Sequence, residues 1–69
     1  MTTFTAWLRR QRRRHDPVGD LANDVDHDTT WTRPKSLRAL IRYLELQEAC
    51  SNCIEAARRA WREFEEAKP

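Results

Sequence analysis

Apolar residues in this 69-residue chain recur at the three- and four-residue spacing of a helix, and no segment reads as a strand candidate. Phe4, Trp7, Leu8 and Gln11 fit the i, i+3, i+4, i+7 pattern, and the Thr3 hydroxyl can cap the first free amides. Asp16-Pro17 announces a second helix, with Asp at the cap and Pro where a missing N–H costs nothing. Val18, Leu21, Ala22 and Val25 then repeat the pattern. Asp16 and Asp20 sit in its first turn, where carboxylates meet the positive helix end. Residues 28–35 lack helical periodicity and hold two threonines and a proline, so they read as a loop with Trp31 as its anchor. Ser36 caps a third helix that buries Leu37, Leu40, Ile41 and Leu44. Ala39, Tyr43 and Leu46 widen its apolar sector, which predicts a central position with only Arg38, Arg42 and Glu45 reaching water. A fourth helix runs from about Ser51 to Glu66 over a core stripe of Cys53, Ile54, Ala57, Ala60, Trp61 and Phe64. Glu55–Arg59, Arg59–Glu63 and Arg62–Glu66 stand at i, i+4 on its outer face.

The expected fold is all-α, one domain over residues 1–69, a compact bundle of four short helices around Trp7, Leu21, Ile41 and Trp61. A domain this small rarely draws more than about 3–5 kcal/mol from its core, too little to support a preorganised catalytic cleft. No apolar run approaches the roughly 20 residues of a membrane span. Phe4–Leu8 is shorter than a signal-peptide core and precedes the arginines, so a cytoplasmic address is the default. One glycine excludes Gly-rich phosphate loops, and prolines placed singly at 17, 34 and 69 leave no proline-rich segment.

Charge is the most uneven property of the chain. Net charge is +2, but residues 1–15 carry five arginines and no acid, and residues 16–32 carry five aspartates and no base. Residues 33–46 return to +3 through Arg33, Lys35, Arg38 and Arg42 against Glu45. Such blocks predict opposed positive and negative regions on one surface.

Several local runs resemble the YozE family, whose fold is similar to the sterile alpha motif (SAM). They are Phe4-Thr5-Ala6-Trp7-Leu8 with Gln11, and Asp16-Pro17-Val18-Gly19-Asp20-Leu21-Ala22 with Asp24 and Asp28 behind. Trp31, Tyr43-Leu44-Glu45, Glu55-Ala56 and Ala60-Trp61 complete a match over nearly the whole chain. The Asp-Pro-Val-Gly-Asp-Leu-Ala run is the most specific, because capping alone demands neither Gly19 nor the second Asp. The family pattern puts proline directly after the loop aromatic, whereas Thr32-Arg33 intervene here before Pro34. The resemblance implies a SAM-like four-helix bundle in a bacterial or phage setting, and it brings no established activity.

The residues themselves assemble no chemistry. Cys50-Ser51-Asn52-Cys53 has the spacing of a redox or zinc-binding pair, but zinc needs two further ligands. His15 and His27 lie upstream and do not match finger spacing. A thioredoxin-type role needs a βαβ context. Two reduced thiols are therefore expected, Cys53 half-buried and Cys50 at a helix start that favours its alkylation. The five aspartates do not suit a calcium loop, because Val18, Leu21, Ala22 and Val25 keep them helical. His15 beside Asp16 makes no relay, and no serine or cysteine completes one. No enzyme activity, cofactor, metal or small-molecule substrate is expected, and no membrane partner.

The simplest reading of Arg9, Arg10, Arg12, Arg13 and Arg14 is a solubilising face, partly neutralised by neighbouring carboxylates. As functional surfaces, the charged blocks point first to protein binding, including head-to-tail self-association, through Arg9, Arg10, Arg13, Asp20, Asp24, Arg38 and Arg42. Nucleic-acid binding by the Arg-rich first helix is the alternative, opposed by the aspartates that follow and by Gln11 facing the core side.

Overall fold

The computed structural model describes residues 2–68. Four helices follow in order, α1 (Phe4–Arg9), α2 (Pro17–Asp26), α3 (Leu37–Leu46) and α4 (Ser51–Ala67), with no strand among the described residues. The fold is the expected all-α bundle. Three of the four starts are built as the caps predict. The side chains of Thr3, Asp16 and Ser36 accept from the amides of Ala6, Gly19 and Ala39, each three residues on. α4 starts at Cys50 without a side-chain cap.

α1 is shorter than its apolar spacing suggests. It ends at Arg9, and the next residues turn through i→i−3 bonds from Arg10 to Trp7, Gln11 to Leu8 and Arg14 to Gln11. Past Leu8 the segment has no apolar residue left to bury, and the chain must reverse to start α2 against α1. Gly19 permits that reversal. A Cβ there would lie 2.0 Å from the Arg14 carbonyl oxygen, so only glycine lets the first turn of α2 approach the incoming backbone this closely. Four of the five arginines at positions 9–14 therefore lie beyond α1, contrary to an Arg-rich first helix.

The centre of the bundle is α4, and the expectation of a central α3 is overturned. α4 packs against α1, α2 and α3, whereas α3 packs against α4 alone among the helices. Ala56, Ala57 and Ala60 are buried along α4 and leave room for close neighbours, while Trp61 and Phe64 fill its far end. On α3 only Leu40, Tyr43 and Leu44 are buried; Leu37 and Ile41 are half-buried, Ala39 is exposed, and Leu46 is 75 % exposed. Its wide apolar sector exceeds the surface that α4 offers. The core proper is Leu8, Val18, Leu21, Ala22, Val25, Leu40, Ala57 and Ala60 with an aromatic corner of Phe4, Trp61 and Phe64. Trp7 and Ile41 pack at its margin rather than at its centre. Phe4 and Trp61 lie 4.3 Å apart between ring centroids, and Phe64 meets both edge-on.

The loop between α2 and α3 is anchored as Trp31 predicts. Its indole N–H donates to Thr5 Oγ1 at 3.0 Å, and its ring meets Tyr43 edge-on at 5.3 Å. Tyr43 donates to Asp28, which also accepts from the Thr30 amide at 2.9 Å and hydroxyl at 2.7 Å. The Tyr43 bond holds the Asp28 carboxyl below the usual range, with Thr30 adding to it. Arg33, one of the two residues interposed before Pro34, takes a left-handed φ of 54°, and Pro34 is buried behind it. Glu48 does the same after α3 (φ 57°), where the amides of Glu48 and Ala49 close back on the carbonyls of Glu45 and Leu44. That pairing ends the helix in the manner usually reserved for glycine.

Candidate functional site

The arginine block divides in two. Arg10, Arg12 and Arg13 are exposed on the turn after α1. Arg14 instead turns back onto α4, neutralised by the neighbouring carboxylate Asp16 and by the distant Glu63. Its Nε and Nη2 donate to Asp16 Oδ2 at 3.1 and 2.6 Å, and Nη1 and Nη2 to the Glu63 carboxylate at 2.7 and 3.3 Å. Gln11 Oε1 accepts a further bond from Nη1 at 3.3 Å. Arg59 joins the cluster, 3.0 Å from Glu63 and 3.5 Å from Asp16. Bonding to Arg14 holds both carboxyls, Glu63 and Asp16, below their ordinary values and pushes the guanidinium higher still. The cluster ties the α1–α2 corner to α4 across 49 residues of sequence, a pairing that no local pattern announces. Of the three i, i+4 pairs expected on α4, only Arg59–Glu63 forms.

The aspartates divide as well. Asp16 caps α2 and holds Arg14, Asp26 stands 3.8 Å from Arg9 Nε, and Asp28 holds Tyr43. Asp20 and Asp24 are exposed and make no ion pair among the described residues. They line one wall of an open groove of about 690 Å³ between α2 and α4. Arg58 and Arg62, also unpaired, line the other wall, with Cys53 and Asn52 toward one end. Neither arginine was among the candidate surface residues, and Arg62 was expected to pair with Glu66, although the i, i+4 spacing of Arg58 and Arg62 without an acid between them was a signal. α2 itself separates the groove from the arginine turn. Asn23 Nδ2 holds the Arg12 carbonyl at 2.9 Å on one flank, where Asp26 meets Arg9, and Asp20 and Asp24 face the opposite one. Arg38 and Arg42 lie elsewhere, exposed on α3 near Leu46. The seven candidate residues thus occupy three places rather than one patch.

Residues 3–66 match the family described as YozE SAM-like fold. The chain belongs to the YozE SAM-like family. No curated protein and no solved structure matches it. The Asp-Pro-Val-Gly-Asp-Leu-Ala run that carried the resemblance now has a physical account in this YozE-family chain. Asp16 serves at once as cap and as ion partner, Pro17 opens the helix, Gly19 admits the Arg14 carbonyl, and Leu21 and Ala22 enter the core. Asp20, the other carboxylate of that run, makes no ion pair among the described residues.

The cysteines of this YozE domain are both free thiols, Cys50 exposed and Cys53 half-buried, as their positions predict. No group of three or more His, Cys, Asp or Glu side chains among the described residues is placed to hold a metal ion. No helix among them is long and apolar enough to cross a membrane.

Proposed function

We propose that this YozE domain is a non-catalytic protein-interaction module that docks through separated basic and acidic surfaces in the cytoplasm. One observation carries the reading: most of the acidic block is consumed inside the fold, while Arg10 and Arg13 on one flank of α2 and Asp20 and Asp24 on the other are left to solvent. Unpaired charges on opposite flanks suit a complementary partner or a second copy joined head to tail. The groove adds a constraint. Arg58 and Arg62 face the acids across it, so a segment seated there has to present both signs.

Sedimentation from low to high salt, with pull-down by the tagged domain, tests the reading. Association should weaken as salt rises, because exposed charges are screened over about 8–10 Å near physiological ionic strength. Arg10→Glu with Arg13→Glu should abolish it while circular dichroism stays unchanged. Asp20→Lys with Asp24→Lys in a second molecule should restore contact if the partner is another copy. A monomer at every salt that captures no protein and binds random-sequence duplex DNA tightly overturns the reading in favour of nucleic acid.

A further inference from the structure

Cys50 and Cys53 stand one turn apart at the start of α4 with their sulfurs 3.4 Å from one another. Neither belongs to the buried core. Nor does Cys50 serve as a cap: Thr3, Asp16 and Ser36 each bond an amide at the other three helix starts, and Cys50 does not. A residue that neither packs nor caps, in contact with a second thiol, is placed for thiol chemistry. The surroundings make the two sulfurs unequal. The Cys53 amide, facing the sulfur without closing a full capping bond, and the Cys53 thiol hold the Cys50 thiol below its ordinary value. Hydrogen bonding to Cys50 and burial push the Cys53 thiol up, and the nearby Asp24 carboxylate adds to the effect. The exposed sulfur is thus the more easily ionised of the two, and the half-buried one the less.

We propose that Cys50 and Cys53 form a stoichiometric thiol–disulfide switch, in which Cys50 attacks a small-molecule disulfide such as glutathione disulfide and Cys53 resolves the product. In the first step Cys50 Sγ, as thiolate, bonds one sulfur of the small disulfide while the other departs as a thiolate. Cys53 then gives its proton to the departed thiolate and attacks Cys50 Sγ, expelling the second small thiol. The protein dithiol is oxidised by two electrons, and the small disulfide is reduced to two thiols. The sulfurs need to approach by about 1.4 Å to reach a bond of about 2.05 Å. Cys53 lines both the α2–α4 groove and a smaller hollow of about 140 Å³ that Trp31 and Tyr43 also line.

The test incubates the reduced full chain with glutathione disulfide at neutral pH, quenches with acid, and reads intact mass and peptide maps. The parent should lose the mass of two hydrogen atoms and show a Cys50–Cys53 cross-link. Cys53→Ser should stop at a single glutathione on Cys50. Cys50→Ser should react several-fold more slowly, because the remaining Cys53 thiol is half-buried and burial still holds it above its ordinary value. In concentrated urea that difference should vanish, which separates a property of the fold from one of the peptide. A parent carrying two glutathiones and no bridge, a parent that does not react, or equal rates for the two folded variants would overturn the proposal. The parent's own product decides the matter if either variant fails to fold.

Discussion

The two flanks of α2 carry the same kind of side chain and treat it in opposite ways. On the flank that meets the α1–α2 turn, Gly19 brings backbones into contact, Asn23 ties down the Arg12 carbonyl, and Asp26 pairs with Arg9. At its N-terminal end, Asp16 closes the Arg14–Glu63–Arg59 cluster. The flank that faces α4 is open, and Asp20 and Asp24 look across about 690 Å³ at Arg58 and Arg62 without pairing. Carboxylates alone do not decide where an ion pair forms. Position in the fold does: Asp16, at the corner where Gly19 lets the chains touch, makes short bonds to Arg14, whereas Asp20 and Asp24 face an open groove and reach neither Arg58 nor Arg62.

The closed flank breaks most sharply at Gly19. Gly19→Ala gains up to about 1 kcal/mol of helix propensity, but its methyl collides with the Arg14 carbonyl at 2.0 Å. Forcing an extra carbon into a well-packed site costs typically about 1–3 kcal/mol and occasionally more. The overpacking term wins, and the thermal midpoint should fall by several degrees, since each kcal/mol is worth roughly 4–8 °C in a domain of this size. A midpoint equal to or above the parent's would show that the corner is loose.

Arg14→Met asks how much of the corner is electrostatic. The Arg14 and Glu63 side chains are both 28 % exposed, so the expected loss is about 1 kcal/mol, near the top of the range for partly exposed pairs. Its sharper signature is pH dependence. Glu63 and Asp16 titrate below their ordinary values of 4.5 and 3.8 in the folded protein, so in acid the unfolded chain takes up their protons first. Their stabilisation is complete above about pH 5 and is lost as the pH falls through 4.5 and 3.8 toward the folded values. Urea midpoints measured from pH 6 to pH 3 should fall in the parent and fall less steeply in Arg14→Met. Parallel curves would place the acid sensitivity elsewhere.

The smallest effect on stability belongs to the open flank. Asp24→Asn with Arg62→Gln removes one charge from each wall of the groove and no ion pair. The thermal midpoint should stay within a few degrees of the parent's, as for most surface changes away from special contacts. A loss as large as that of Arg14→Met would mean that these charges hold the helices together, and the contrast between the flanks would fail.

Much of the local structure was legible in the residues because it rests on local chemistry. Thr3, Asp16 and Ser36 each reach an amide three residues away, and Pro17 pre-sets the backbone of α2. The periodic positions Val18, Leu21, Ala22 and Val25 are buried as their spacing requires. Periodicity misled where it measures supply rather than demand. α3 offers more apolar surface than its single neighbouring helix covers, so Ile41 and Leu46 stay partly or largely exposed. Charge counting by blocks had a similar limit, because it could not tell Arg14 from Arg13.

By itself, then, the sequence determined four helices, three of their caps, the Trp31 anchor and the adjacency of two thiols, all of them consequences of bonds or spacings within about one helical turn or of a single bulky apolar residue in a polar loop. Only the tertiary structure decided that α4 is the centre, that Gly19 exists to admit the Arg14 carbonyl, and that Asp20 and Asp24 are the aspartates left without a partner. Those outcomes depend on which helix backbones approach closely enough to exclude water. Those approaches are set by small residues far apart in the chain, Gly19 against the Arg14 backbone at one corner and Ala56, Ala57 and Ala60 buried along α4.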